Sequence, residues 1–285
     1  MGVLKNKIDF KVFVTVKDAN PNGDPLNGNR PRISYAGIGE MSSECIKRKI
    51  RNRLQDLGQP IFVQSADRCQ DGFDSLSTRA SQTLHGYKSR EDYAKLACET
   101  WIDVRAFGQV FAFKSDKSDK KGDGVSVGVR GPVSVHMARS VSPIDITSMQ
   151  ITKSVNGEPS EKKSSDTMGT RHMVDFGLYE IKGSINVQLA EKTGFTEEDA
   201  AHIKECLRTL FINDTSSARP DGSMEVVCVY WWEHNCKDGQ YSSAKVHRSV
   251  EAKLKADVKI PSDFSDYDIV ETGLDGLVPE IIAGM

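Results

Sequence analysis

No stretch of the chain approaches the roughly 18 to 20 consecutive apolar residues that a membrane-spanning helix needs. The first residues, MGVLKNKIDF, lack an apolar signal core, and Asn6 stands where a myristoylation site has Ser or Thr. A cytoplasmic protein with no membrane partner is therefore expected. Cysteine is sparse as well: 6 in 285 residues, at 45, 69, 98, 206, 228 and 236, with no CxxC pair. Disulfide frameworks belong to small secreted chains, so these thiols are expected reduced and packed as small hydrophobes. A large net charge is also missing, with 38 Lys+Arg against 40 Asp+Glu. What is present, 38% hydrophobic and 27% charged residues, describes a globular chain rather than a disordered one.

Near-neutrality hides an uneven layout. Residues 1–60 hold eleven Lys/Arg against six Asp/Glu, a balance of +5. The acidic C-terminal segment, 251–285, holds three against eight, a balance of −5. A basic working face and an acidic end follow, and in a protein that stacks on its own copies the two would attract.

Ile8, Phe10, Val12, Val14 and Val16 alternate with Asp9, Lys11, Phe13, Thr15 and Lys17, the period of a strand with one core face. Residues 18–32 (DANPNGDPLNGNRPR) are dense in turn formers and read as a loop. Ser42 or Ser43 caps a helix bearing Ile46, Ile50, Leu54 and Leu57, with Gly58 at its stop. Ser89 opens a second helix over about 90–101, and strand patterns follow at Asp103–Phe113 and Val125–Val135. Residues 114–124 (KSDKSDKKGDG) and 154–171 read as core-free polar connections, and weak strand character at Ile144–Thr152 makes the region between them a projecting hairpin.

Tyr179, Ile181, Ile185, Val187 and Leu189 alternate as a strand. Thr196 and Asp199 form a capping-box start for a helix carrying Ala200, Ile203, Leu207, Leu210 and Phe211. Glu225–Trp232 is a hydrophobic strand in which Trp231 and Trp232 point to opposite faces. Setting the polar insertions aside leaves strand, helix, strand, strand, helix, strand. That is the split order of an α+β, ferredoxin-like or RRM-like domain, with both helices on one side of an antiparallel sheet and the other side free. The reading is one RRM-like domain over 1–285, with insertions at about 60–102 and about 114–177.

The first helix carries the chemistry. In KRKIRNR, residues 47–53, five cations stand in seven positions with no acid among them. Ile46, Ile50 and Leu54 take the buried stripe, so Lys47, Arg48, Lys49, Arg51 and Arg53 are expected to face outward. A polyanion laid across them would relieve their repulsion and release counterions. Arg30 and Arg32, beside a glycine-rich backbone, extend the patch. The exposed Phe/Tyr pair of a conventional RNA-binding sheet is absent from the strands, so grip on backbone rather than on bases is expected. Cys228, His234, Cys236 and His247 match no standard zinc spacing; core Cys and surface His are expected there, with no metal and no cofactor. GVRGP at 128–132 lacks the Lys-Ser/Thr of a phosphate loop and reads as a bend between strands. His136, His172 and Asp175 have no nucleophile placed beside them by the sequence.

The opening DFKVFVTVKDANPNGDPLNGNRPR, the helix CIKRKIRNRL, DVRAFGQVF at 103–111, GPVSVHMARSVSP at 131–143, TMGTRHMVDFGLYEIKG at 167–183 and LFINDTSSARPDGSMEV at 210–226 together resemble one family. It is the crRNA-binding backbone subunit of type I CRISPR surveillance (Cascade) complexes, in its subtype I-C form. The resemblance runs from about residue 8 to residue 248. It implies an RRM-like palm with inserted fingers and thumb, copies lined up along one guide RNA, target DNA met through guide pairing, and contacts with other Cascade subunits. It further implies that Lys47 and Arg51 grip guide phosphates, assisted by Arg48 and Lys49. Asn20, Asn22, Arg30 and Arg32 match the loop that meets the guide. Residues from about Val141 to Met173 correspond to the thumb, with Met168 as a wedge between bases and Arg171 and His172 beside it. Related type III subunits cut RNA with a thumb-region Asp, so Asp145 and Asp166 hold open a metal-dependent ribonuclease alternative. The type I likeness favours a non-catalytic role.

Overall fold

The computed structural model describes residues 2–113, 125–152 and 168–285. The charged connection at 114–124 and the expected hairpin tip, Asp166 included, lie outside them. Strand β1 (Ile8–Ala19) leads into a small hairpin of β2 (Gly23–Asp24) and β3 (Arg30–Pro31). Strand β4 (Ile38–Met41) precedes helix α1 (Ser43–Asp56). Helices α2 (Leu76–Thr83), α3 (Arg90–Thr100) and α4 (Ile102–Phe107) follow, then a hairpin of β5 (Gly108–Phe113) and β6 (Val125–Arg130). Beyond the bend at Gly131 and Pro132 come β7 (Val133–Val135), β8 (Ala138–Pro143), β9 (Ile146–Thr152) and the long β10 (Met168–Ile185). Helices α5 (Val187–Thr193) and α6 (Glu197–Arg208) lead to β11 (Met224–Glu233). The chain closes with α7 (Ser243–Arg248), β12 (Val250–Leu254), β13 (Tyr267–Glu271) and β14 (Glu280–Ala283).

The main sheet is antiparallel, in the order β14-β11-β1-β10-β8-β4, with β7 and β9 also paired to β10. Strand β1 is its centre: Val12 stands opposite Ile181 of β10 and Val229 of β11. One face is packed by α1 and α6, whose Ile46, Ile50, Leu54, Ile203 and Leu207 meet Phe10, Val12, Ile181 and Trp231 in one continuous core. Trp231 stacks on Phe10 at 5.9 Å between ring centres. Ser42 caps α1 by accepting from the Cys45 N–H, and α6 has the full capping box between Thr196 and Asp199.

The opposite face is not free, contrary to the expectation. Phe13, Phe176, Leu178, Tyr230 and Trp232 point that way, and Val246, Val250, Tyr267 and Leu277 from residues 243–285 cover them. Apolar side chains on both faces of a central strand require cover on both; the polar members of β1 did not reveal it because they are paired beneath that cover. Lys11 donates to the Val250 carbonyl and to Glu180, and Asp9 accepts from His234 at 2.9 Å. His234 and His247 are accordingly buried rather than on the surface. The acidic C-terminal segment thus supplies a structural layer, and β14 pairs with β11 at the sheet edge.

A second core gathers Phe62, Ala80, Tyr93, Trp101, Phe111 and Val127 outside the sheet. Two further expectations change. The first half of Asp103–Phe113 is helix, because Asp103 turns inward to accept from the Phe62 and Val63 N–H groups and Gly108 (φ +79°) ends the turn. Val187 and Leu189 belong to α5, capped by Asn186 and stopped by Gly194 in the left-handed region. Cys98 and Cys206 are buried, Cys236 is exposed, and all six cysteines are free.

Candidate nucleic-acid interface

Strand β1 and its hairpin deliver residues 20–32 to the start of α1. The Asn22 side chain accepts from the Ser42 N–H at 2.8 Å, and the Cys45 thiol donates to the Pro21 carbonyl. Asn20 is buried, tied through its amide to the Asn29 carbonyl and through its N–H to Ala218. Both asparagines therefore shape the loop from within.

The cations of α1 divide into two sets, because the helix has neighbours on three sides. Lys49 is buried against Asp214, itself held by Arg219 at 2.9 Å, and burial lowers its pKa against the pull of Asp214. Arg53 is buried between Thr209 and Asp56. Arg51 is mostly covered, its Nε donating to Asp103 at 2.9 Å while its guanidinium lies 5.0 Å from the Phe107 ring centre. The outward orientation expected of Lys49, Arg51 and Arg53 thus gives way to internal pairing, since a buried carboxylate needs a cation.

Lys47 and Arg48 remain. Lys47 lies 5.6 Å over the same Phe107 ring, and Arg48 donates to the Val63 carbonyl at 2.8 Å. Among the described residues neither has a carboxylate within 4.0 Å. Burial and then the neighbouring Arg51 charge lower the pKa of each. An anion placed beside them would reverse that repulsion.

The second arm is the β9–β10 hairpin, in which Ser148 stands opposite His172 and Met149 opposite Arg171. Arg30, from β3, reaches across and donates to the Ser148 hydroxyl at 3.0 Å, with His172 Nδ1 at 3.3 Å. Arg32 lies 3.6 Å from Asp24. Met168 is 60% exposed at the start of β10, and the Gln150 amide donates to its sulfur. Arg171 is half-buried, its Nε without a hydrogen-bond partner among the described residues. The sequence-derived set therefore falls in two neighbourhoods: Lys47 and Arg51 over Phe107, with Arg48 beside them on the Val63 carbonyl, and Arg30 with His172. Phe107 and Ser148 were missed. Helical spacing within α4 would have aligned Phe107 with Asp103, and the register of a β9–β10 hairpin would have set Ser148 against His172. Asp145 is exposed near the base of that hairpin, its carbonyl accepting from the Asp175 N–H.

The mixed α and β fold around a large antiparallel sheet is shared with known proteins. A chain described as "CRISPR RNA-guided surveillance complex, pre-nicking" superposes with a TM-score of 0.50 at 14% identity, over 89% of this chain and 84% of that one. A second, described as "CRISPR RNA-guided surveillance complex", gives 0.46 at 16% identity, over 79% and 68%. The CRISPR-associated protein Cas7 of Haloferax volcanii is 25% identical over 237 residues, 75% of this chain and 67% of that protein. The model of the family "CRISPR-associated protein Cas7" matches residues 6–272. The chain belongs to the Cas7 family, the backbone subunits of CRISPR surveillance complexes.

Proposed function

We propose that this chain is the crRNA-binding backbone subunit of a type I, subtype I-C surveillance complex in the cytoplasm. Several copies queue along one guide, other Cascade subunits dock on that filament, and target DNA is met through guide pairing. The family match over residues 6–272 carries the reading. In it β11-β1-β10-β7, with α1 and α6 on one face, is an RRM-like palm. The second core around Phe62, Tyr93 and Phe111 belongs to the fingers, which extend past the 60–102 insertion to Val127. The β9–β10 hairpin is the thumb, with Met168 as its wedge.

The covered sheet face supports a route over α1 and the two hairpins, because the platform on which a conventional RRM stacks bases is occupied by residues 243–285. Lys47 and Arg48 then meet phosphates, while Arg51 and Lys49 hold the helix that presents them. The role is structural and non-catalytic: base pairing reads sequence, and the protein holds backbone and shape.

The test is RNA binding by the purified chain carrying Lys47→Ala and Arg48→Ala. Affinity is expected to fall about equally for unrelated guide sequences. The log–log salt slope is expected to flatten by about 0.7 for each single-strand phosphate that the variant no longer neutralises. A strong preference for one guide sequence, or cleavage of the RNA with divalent metal, would overturn the reading.

A further inference from the structure

The contacts of Arg30 differ in kind from those of Lys49, Arg51, Arg53, Arg79 and Arg105. Each of those five is paired with a carboxylate. Arg30 is half-buried and, among the described residues, has no carboxylate within 4.0 Å. Its Nη1 instead rests on two neutral acceptors, the Ser148 hydroxyl at 3.0 Å and His172 Nδ1 at 3.3 Å, and these two are themselves 2.8 Å apart. A guanidinium, a hydroxyl and an imidazole thus converge from β3, β9 and β10, the last two lying 118 and 142 residues from Arg30 in the chain.

Neutral acceptors hold a guanidinium less strongly than an anion does, because they offer no opposite charge and no pair of oxygens matched to its planar fork, as a phosphate does. An entering oxyanion would take over the Arg30 donors, and would free the Ser148 hydroxyl and the His172 ring to turn their own donors toward it. The junction is exposed at Ser148 and half-buried at His172, so an anion reaches it without unfolding either hairpin.

We propose that Arg30, Ser148 and His172 form a phosphodiester subsite that clamps one backbone phosphate of a bound single strand between the β2–β3 and β9–β10 hairpins. The proposal rests on the reading of the chain as a guide-binding subunit, and adds Ser148 and a defined phosphate to it. Binding there would also tie the two hairpins together through the ligand, so that a strand threaded past β10 fixes the loop at 20–32.

The experiment uses the full chain and a labelled single-stranded RNA, made also as a series in which each phosphate in turn is replaced by an uncharged methylphosphonate. In the wild type, one phosphate per bound copy is expected to be sensitive, its neutralisation weakening binding about tenfold, the worth of one charge-assisted hydrogen bond. Arg30→Met is expected to weaken binding about as much and to flatten the salt slope by about 0.7. Ser148→Ala and His172→Gln are expected to lose a few-fold in affinity with an unchanged slope. In Arg30→Met, neutralising the sensitive phosphate should cost no more than neutralising any other, whereas Ser148→Ala and His172→Gln, which keep the guanidinium, should retain that sensitivity in reduced form. Thermal melting of the conservative Ser148→Ala and His172→Gln proteins separates these losses from misfolding.

If the wild type binds RNA but the three variants keep its affinity, slope and sensitive phosphate, the subsite is wrong and the guide-binding reading survives. If the wild type binds no RNA, both fall. If the variants lose only cooperativity between copies on a long strand, the junction is a protein contact and the proposal is overturned.

Discussion

Arg51→Ala separates the structural cations of α1 from those that meet a ligand. Asp103 is fully buried, and its two oxygens accept from Phe62 N–H at 2.7 Å, Val63 N–H at 3.1 Å and Arg51 Nε at 2.9 Å. Removing the guanidinium strands a buried carboxylate on two backbone donors. Breaking such a pair from one side costs about 3–5 kcal/mol. The two surviving hydrogen bonds, and entry of water where the 13% exposed Arg51 side chain stood, put the loss at the low end, about 3 kcal/mol. For a chain of this size that lowers Tm by about 5 °C. Thermal unfolding followed by circular dichroism is the assay. Lys47→Ala is the control, since Lys47 rests on the Phe107 ring rather than on a carboxylate; it should melt near the wild type while losing RNA affinity. Asp103→Asn with Arg51→Ala should cost less than the sum of the two, because the stranded charge is gone. An Arg51→Ala protein that melts within about 1 °C of the wild type would refute the pairing and return Arg51 to the phosphate-binding set.

Other consequences follow from single contacts. The Arg79 guanidinium, 2.6 Å away, holds the Asp71 carboxyl down at about 2. A carboxylate depressed in the folded state contributes stability that is complete above its ordinary value of 3.8 and fades as pH falls toward about 2. Nuclear magnetic resonance titration should place Asp71 near 2 in the wild type and move it up toward 3.8 in Arg79→Met, short of it by what the Phe73 N–H still contributes; a midpoint still near 2 in the variant would credit the Phe73 N–H instead. A Cβ added at Gly39 would lie 2.3 Å from Tyr179 Oη and 2.8 Å from Ile144 Cδ1. Gly39→Ala should therefore lose about 1–3 kcal/mol by overpacking, partly recovered by Tyr179→Phe, and equal melting of both proteins would show that the site relaxes freely. Ser42→Ala should cost about 1 kcal/mol through loss of the α1 cap, read from denaturant midpoints.

Much of the palm was legible in local pattern. The alternation in β1, the capped stripe of α1 and the capping box of α6 are short-range signals, and each element forms where its spacing places it. What the sequence hid is what distant partners decide. Lys11 looks like a surface residue in an alternating strand until β12 folds over it. The cations at 49, 51 and 53 look like one outward ridge until Asp214, Asp103 and Asp56 arrive to pair with them. Helix α4 was misread because its apolar residues suit a strand, and a buried Asp103 tips the balance. Of the candidate site, the residue types were legible and the junction was not: Arg30 and His172 meet only because β3 lies against β10.

The placement of the strand is the claim on which the rest depends. A guide RNA carrying photoreactive 4-thiouridine, bound to the intact chain and irradiated, reports by mass spectrometry which residues lie against its bases. Adducts are expected in residues 20–32, on α1 around Lys47 and along the β9–β10 hairpin, with Phe13, Tyr230 and Trp232 unmodified beneath residues 243–285. Adducts on those three aromatics, with the α1 and hairpin residues left clean, would contradict it.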